Sequence, residues 1–437
     1  MSAPESPDLQ RKVVVAACFG TFLEWYDFLT FASLATWFGM LFFPPEDPTT
    51  ALLASLGTFG IGMIVRPLGA ALFGSLGDRH GRRTIFLVTI VLMGGATFCV
   101  GLLPTYAQAG LLAPALLLIL RMLQGLSVGG EIGGAAVYLT EHAPAGRRGA
   151  YTSVLQLMGP LGMLASTLQI VALQSWLSEP EFLAWGWRVP FLLSALLLAI
   201  SIKSRINLHE SPVFRQLREK NAVAKTPLRE CFADRQTLGR MALLFFCISA
   251  GGSLLFFSSQ VYTGVFLKTA AKLDARLVSE LQAVATLCLF PLTIACGWLS
   301  DRIGRRPVLL AGLFLGAVAV FPVFQGLLHF AAGPAPDRLA LTGLLLILVV
   351  ALAAITGPQT ATLAELFPAR TRYSAVALPH NLSAGWIGGM SPFVVTWLAT
   401  QTGNPLSGLA YPVGLLILAS LIGLFFLPEV ANRPLDQ

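Results

Sequence analysis

Charge is scarce in this sequence. Only 12% of its 437 residues are Asp, Glu, Lys or Arg, about half the share of a soluble domain, and apolar runs of 18 residues or more recur from residue 13 to residue 427. That recurrence excludes a soluble globular chain and predicts an integral membrane protein. Cysteine is thin as well. Five of the six (Cys18, Cys99, Cys247, Cys288, Cys296) lie in apolar runs and Cys231 lies in a basic loop; none has metal-ligand spacing, so neither a metal site nor a disulfide is expected. A GxxxxGK nucleotide loop is absent, which leaves an ion gradient as the energy source. No cofactor and no nucleic-acid partner are implied. The first apolar run follows Arg11 and Lys12. It is too long for a cleaved signal, holds two acids and lacks a small-residue cleavage site, so it reads as a retained span.

At about 20 apolar residues per crossing, helices fall near 13–42, 51–76, 84–103, 111–139, 150–175, 187–204, 238–267, 276–299, 307–330, 339–363, 374–400 and 407–427. Basic residues are retained on the cytoplasmic side. Of the 29 Lys and Arg, 22 fall at the two termini and in the loops after even-numbered helices, against four (Lys268, Lys272, Arg276, Arg338) in the opposite loops. Both termini are therefore expected in the cytoplasm. The long polar stretch 204–237 separates an N-terminal six-helix bundle, 1–203, from a C-terminal one, 238–437. Its Leu and Phe spacing suits a helix on the membrane surface; a solvated linker is the other reading.

The two halves repeat. GSLGDRHGRR at 74–83 returns as GWLSDRIGRR at 297–306, and EHAPAGRR from Glu141 returns as ELFPARTR from Glu365, at offsets of 223 and 224 residues. Internal duplication of this kind is expected of a secondary transporter. G-x-x-x-D-R-x-G-R-R, duplicated between helices 2 and 3 and between 8 and 9, resembles the signature loop of the major facilitator superfamily. Within it the sequence resembles the metabolite:proton symporter family, through FLEWYDF, VRPLGA at 65–70, RMLQGLSVGGEIGGA at 121–135, GWRVPF at 186–191, ESPVF at 210–214 and AELFPARTR at 364–372. The resemblance implies an all-α fold of twelve transmembrane helices in two pseudo-symmetric six-helix bundles. GLLAPALLLILRMLQG and AVYLTEHAP look most like the citrate and tricarboxylate members of that family. Its osmosensing proline/betaine members carry a long C-terminal extension, whereas this chain stops about ten residues past helix 12, which weighs against that substrate class.

Charged side chains at mid-bilayer cost about 2.5 to 3.5 kcal/mol each, so they face partners or water. At 1.5 Å per residue, Glu24 and Arg66 lie about 18 Å from the cytoplasmic side, Asp27 about 22 Å, Glu131 about 15 Å and Arg121 about 30 Å. Glu24 and Asp27, three apart, share one helix face and should titrate as a coupled pair. That suits a proton carrier; an acid fixed in an ion pair with Arg66 is the competing reading. Glu131, among Gly129, Gly130, Gly133 and Gly134, is either a partner of Arg66 or a proton site. Arg121 is expected to contact substrate, with Arg66, Tyr26 and Gln124 as further substrate-facing candidates. The second half offers Gln260, Tyr262, Gln359, His380 and Asn381. The family resemblance places an Asn at Asn381. His380 is either a neutral ring bonded to a backbone carbonyl or a second donor to substrate.

The resemblance also implies a cytoplasmic gate in which Asp78, Arg79, Arg82, Arg83 and Glu141, and their echoes Asp301, Arg302, Arg305, Arg306 and Glu365, pair and part as the halves rock. Holding the loops inside is the simpler role for these arginines. Together these features lead us to expect a proton-coupled importer of a small organic anion, a di- or tricarboxylate such as citrate, acting as a monomer in the lipid of a bacterial inner membrane, with sodium as the alternative ion. Rival readings are symport of a zwitterion or aromatic acid, drug:proton antiport, for which MGPLGM at 158–163 is the faint signal, and a membrane sensor without flux.

Overall fold

The computed structural model describes residues 7–44, 48–206, 210–332, 336–431 and 433–435. Among them no strand occurs. The long helices are α1 (Pro7–Ser33), α2 (Pro48–His80), α3 (Arg82–Leu102), α4 (Leu112–His142), α5 (Arg148–Trp176), α6 (Val189–Ile206), α7 (Arg235–Thr269), α8 (Ala275–Ile303), α9 (Arg305–Ala331), α10 (Arg338–Glu365), α11 (Arg372–Thr402) and α12 (Ser407–Phe426). From α2 to α12, eleven spans are long and apolar enough to cross a membrane among the described residues. The acid-bearing α1 has 27 residues, about 40 Å of helix, and is the twelfth.

The chain forms two compact units. One comprises residues 1–142, 158–230 and 370–378; the other comprises 143–157, 231–369 and 379–437. Thus the first turns of α5 belong to the second unit, and the first turns of α11 belong to the first.

In the first unit, glycine brings α2 and α4 into backbone contact. A Cβ added to Gly69 would lie 1.9 Å from Leu126 O, one on Gly125 2.2 Å from Gly62 O, and one on Gly129 2.0 Å from Arg66 O. Small residues at a helix crossing allow this approach, and it sets Arg66 beside the α4 turns that carry Gln124 and Glu131. One end of the unit is filled by an aromatic cluster of Phe31, Phe38, Phe42, Trp187 and Phe191, with ring centroids 4.8 Å apart for Phe31 and Phe38 and 5.5 Å for Phe38 and Trp187.

The linker helix Pro212–Glu219 is capped by Ser211, whose Oγ accepts from Phe214 N at 3.1 Å. Val213 and Phe214 are buried within the first unit, and the Arg82 guanidinium lies 5.2 Å over the Phe214 ring. The apolar face of this helix is therefore covered by protein, which corrects the expectation of a helix lying on the membrane surface. Residues 207–209 of the linker lie outside the described residues.

In the second unit, α7 and α11 are interrupted by wide π-helical turns at Leu244–Ser249, Phe257–Tyr262 and Ser383–Gly388. The i→i+5 pattern extends to the Thr263 hydroxyl, which donates to Ser258 O at 2.7 Å. Such turns recur at functional sites because they re-aim side chains without breaking a helix. Four of the five polar residues singled out in this half lie in or within three residues of these turns.

Candidate functional site

Six charged side chains meet inside the first unit, each 2% exposed or less: Glu24, Asp27, Arg66, Arg121, Glu131 and Arg205. Five were expected from the sequence. Arg205, near the end of α6, had been assigned to the linker.

Asp27 lies beside Thr97 and Arg121. The Thr97 hydroxyl is otherwise engaged, donating to Met93 O at 3.0 Å and accepting from Gln124 Nε2 at 2.7 Å. Among the described residues neither Asp27 oxygen has a hydrogen-bond partner, and the same holds for all three guanidinium nitrogens of Arg121. Instead the Arg121 guanidinium stacks 3.5 Å over the Phe31 ring, with Phe28 at 6.0 Å. A buried carboxyl and a buried guanidinium thus lie near each other without hydrogen-bond partners among the described residues, open to polar groups of a guest.

Glu24 has no hydrogen-bond partner on either oxygen among the described residues. It lies within electrostatic reach of Glu131, Arg66, Arg205 and Asp27. Arg66 donates from Nη1 to Met63 Sδ at 3.4 Å. Glu131 does not pair with Arg66 as its glycine-rich face had suggested. Its Oε1 accepts from Arg205 Nη2 at 2.5 Å, and its Oε2 accepts from Thr89 at 2.8 Å and Arg205 Nη1 at 3.3 Å. The reason is reach: α6 delivers a long fork that satisfies both carboxylate oxygens. Tyr26 is turned into the unit, where its hydroxyl donates to Gln169 and to Pro190 O.

The duplicated loops build two similar charged clusters, one in each unit. Asp78 accepts from Tyr373 N at 3.2 Å and Ser374 N at 2.9 Å, so it caps the start of α11; Glu141 lies between Arg82 Nε at 3.3 Å and Arg372 Nη1 at 2.8 Å. In the second unit Asp301 accepts from Gly149 N at 2.8 Å and Ala150 N at 2.9 Å at the start of α5, and Glu365 pairs with Arg305 at 3.0 Å and Arg148 at 3.3 Å. Carboxylates at helix N-termini satisfy orphan N–H groups and the helix dipole. Arg83 and Arg306 stand apart from these clusters and reach the carbonyls of Ile206 and Leu424. Arg79 is exposed, and Arg302 stacks on Trp298 at 3.9 Å.

The glycine of D-R-x-G-R-R has a double reason. Gly81 and Gly304 have φ of 111° and 102°, where a side chain is strained. A Cβ would also lie 2.2 Å from Glu210 Oε2 or 2.3 Å from Glu429 Oε2. These two carboxylates cap the following helices: Glu210 accepts from Arg82 N at 3.1 Å and Glu429 from Arg305 N at 2.9 Å. Burial alone would push the Glu429 carboxyl up. The backbone N–H groups of Ala431, Arg305, Arg306 and Val430 outweigh it and hold the group below its ordinary range. Glu429 was missed from the sequence. Its offset of 219 from Glu210, close to the repeat interval, was the available signal, just as the offset of 224 between Arg148 and Arg372 was for those two.

Tyr373 fixes the α11 start within the first unit. Its hydroxyl donates to Gly130 O at 2.7 Å; a Cβ added to Gly77 would lie 2.1 Å from its ring, and one added to Gly134 2.3 Å from its hydroxyl oxygen. Gly77→Ala should therefore destabilise this segment by about 1 to 3 kcal/mol through overpacking, and Tyr373→Phe by about 1 kcal/mol. Lowered melting temperature and faster proteolysis at 370–378 are the readouts; full protection in Gly77→Ala would refute the slot.

In the second unit the His380 Nδ1 meets the Ser249 hydroxyl at 2.9 Å, so it has a side-chain partner there. Gln260 Oε1 accepts from Thr286 at 2.9 Å, whereas its Nε2 has no partner among the described residues. Gln359 packs against Gly252, and Asn381 is fully buried. The Tyr262 ring lies tilted by 35° against Phe324, centroids 5.5 Å apart, and serves the core.

Apolar spans around a buried set of acids and arginines suit a membrane carrier of small solutes. Comparison with known proteins agrees. The family described as "Sugar (and other) transporter" matches residues 13–243 and 229–437, and the chain belongs to that family. It is 36% identical, over 97% of its length and 84% of the relative's, to the glycine betaine/proline/ectoine/pipecolic acid transporter OusA of Dickeya dadantii (strain 3937). It is 35% identical to the inner membrane metabolite transport protein YhjE of Escherichia coli (strain K12), over 94% of each chain. With the proline/betaine transporter of Escherichia coli (strain K12) it shares 34% identity over 97% of this chain and 85% of that one. The proton:xylose symporter XylE, a solved major facilitator superfamily structure, superposes with a TM-score of 0.77 at 18% identity, over 99% of this chain and 98% of that one. The fold is the twelve-helix major facilitator fold. The protein is a multi-pass membrane transporter and not an enzyme.

Proposed function

We propose that the protein is a proton-coupled symporter that imports a small zwitterionic solute of the glycine betaine or proline kind. One observation carries this reading. The buried cluster balances three carboxylates (Glu24, Asp27, Glu131) against three guanidiniums (Arg66, Arg121, Arg205). A formally neutral site suits a guest bearing one charge of each sign, whereas a tricarboxylate would need a surplus of cations. The relatives named for betaine and proline support the same choice. The expected citrate-type substrate accordingly gives way to the zwitterion alternative.

In this reading Arg121 takes the carboxylate of the solute, and Asp27, with Phe28 and Phe31 nearby, takes the cationic end. Glu24 carries the proton. Solute and proton together stabilise the state that switches, and neither does so alone. Gln260, Gln359, His380 and Asn381 are proposed as neutral hydrogen-bonding contacts, and the two charged clusters as gates that part during the cycle. The working form is a monomer with cytoplasmic termini in a bacterial inner membrane, without a cofactor and coupled to protons rather than sodium.

The test uses liposomes loaded at high internal pH. Glycine betaine or proline added outside should drive proton entry, and citrate should not. Proton entry with citrate alone would overturn the substrate, drug-driven proton exit would favour antiport, and binding without flux would favour a sensor.

A further inference from the structure

We propose that Arg205 is a positioning residue for proton coupling: with Thr89 it ties up both oxygens of Glu131 against α1, and the pair together sets the pH at which Glu24 exchanges its proton. The proposal rests on the symport reading above. It removes Glu131 from the groups that could carry the proton.

The geometry is specific. Arg205 is fully buried, stacks 3.4 Å over the Phe86 ring, and donates from Nη1 to Phe86 O at 2.7 Å. With Thr89 it occupies both oxygens of Glu131. The pair also lies directly on α1. A Cβ on Gly20 would lie 1.4 Å from Arg205 Nη2 and 3.0 Å from Glu131 Oε1, so the absence of a side chain there makes room for the guanidinium.

Glu24 is four residues on from Gly20, hence one turn along the same face of α1. It is faced by Arg66 from α2, Glu131 from α4 and Arg205 from α6, with Asp27 on its own helix. Its carboxylate has no hydrogen-bond partner among the described residues. Glu24 is therefore the exchangeable acid, and the neighbouring pair supplies one fixed charge of each sign.

Removing either charge alone should move the pH profile, and in opposite directions. In Glu131→Gln, Arg205 is left as an uncompensated cation that favours the Glu24 carboxylate, so the midpoint of solute-driven proton entry should fall by about one pH unit. In Arg205→Gln, Glu131 is left as an uncompensated anion and the midpoint should rise by about as much. The double variant should return close to the parent midpoint, and Arg205→Lys, which keeps the charge, should stay near it. The same four proteins, purified in detergent, are titrated in parallel by the infrared band of protonated carboxyl groups, with Glu24→Gln to assign it. That measurement needs no transport.

Shifts of opposite sign that cancel in the double variant support the proposal. Single variants that lose stability or rate with no movement of either pH profile would reduce the pair to a structural brace and overturn it. Loss of gradient-driven accumulation in Glu131→Gln, with counterflow intact, would make Glu131 the carrier and overturn it as well. Should Arg205→Gln fail to fold, Gly20→Ala, which intrudes on the guanidinium, must shift the infrared titration, and an unmoved titration counts against the proposal. If the parent protein shows no solute-driven proton entry at any pH while the infrared shifts appear, the symport reading fails and the positioning role stands.

Discussion

Arg121→Ala should bind the proposed solute, glycine betaine, at least about a hundredfold more weakly than the parent and should no longer accumulate it. Two losses combine. The solute carboxylate loses a guanidinium whose three nitrogens have no hydrogen-bond partner among the described residues, and Asp27, fully buried beside it, loses its countercharge. Breaking a buried charge pair on one side costs about 3 to 5 kcal/mol, and every 1.4 kcal/mol is about tenfold in affinity. Arg121→Lys keeps the charge but not the planar fork or the stacking on Phe31, so it should fall between the two, about tenfold weaker than the parent. Calorimetric titration and the thermal shift with glycine betaine measure both. Unchanged affinity in Arg121→Ala would remove the site from this part of the first unit.

Glu365→Ala should lower the melting temperature by several degrees and expose the turn at 143–147 to protease. The carboxylate is fully buried and pairs with Arg305 and Arg148; without it two guanidiniums face each other in a poorly solvated cluster, at a cost of about 3 to 5 kcal/mol. Adding Arg148→Leu to Glu365→Ala should recover part of the loss, because Arg305 keeps Asp301 at 2.7 Å whereas Arg148 loses the carboxylate it pairs with. Glu141→Ala should behave alike in the first unit, where Arg82 and Arg372 flank it. Stability unchanged in both single variants would mean that these clusters contribute only loop retention.

Much of this was legible before folding. A run such as 84–103 needs no knowledge of its neighbours to be read as a span, because the bilayer acts as solvent for each helix separately. The repeat offsets of 223 and 224 paired Asp78 with Asp301 and Glu141 with Glu365, and each pair does occupy equivalent places in the two units. Arg205 was not legible. It stands at the polar end of a span, where a basic residue ordinarily marks the cytoplasmic side, and nothing in its spacing points inward to Glu131. Glu429 and Tyr373 were missed for the same kind of reason, since their partners are backbone groups of distant helices.

The sequence by itself determined a duplicated set of apolar helices carrying a few acids and arginines at similar depth, because hydropathy, charge and periodicity are properties of single segments. Only the tertiary structure decided which charges neutralise each other and which stand ready for a guest. Pairing depends on the tilt and rotation of each helix against its neighbours, set here by glycine contacts such as Gly129 on Arg66 and Gly20 under Arg205, and packing of that kind leaves no periodic trace in one dimension.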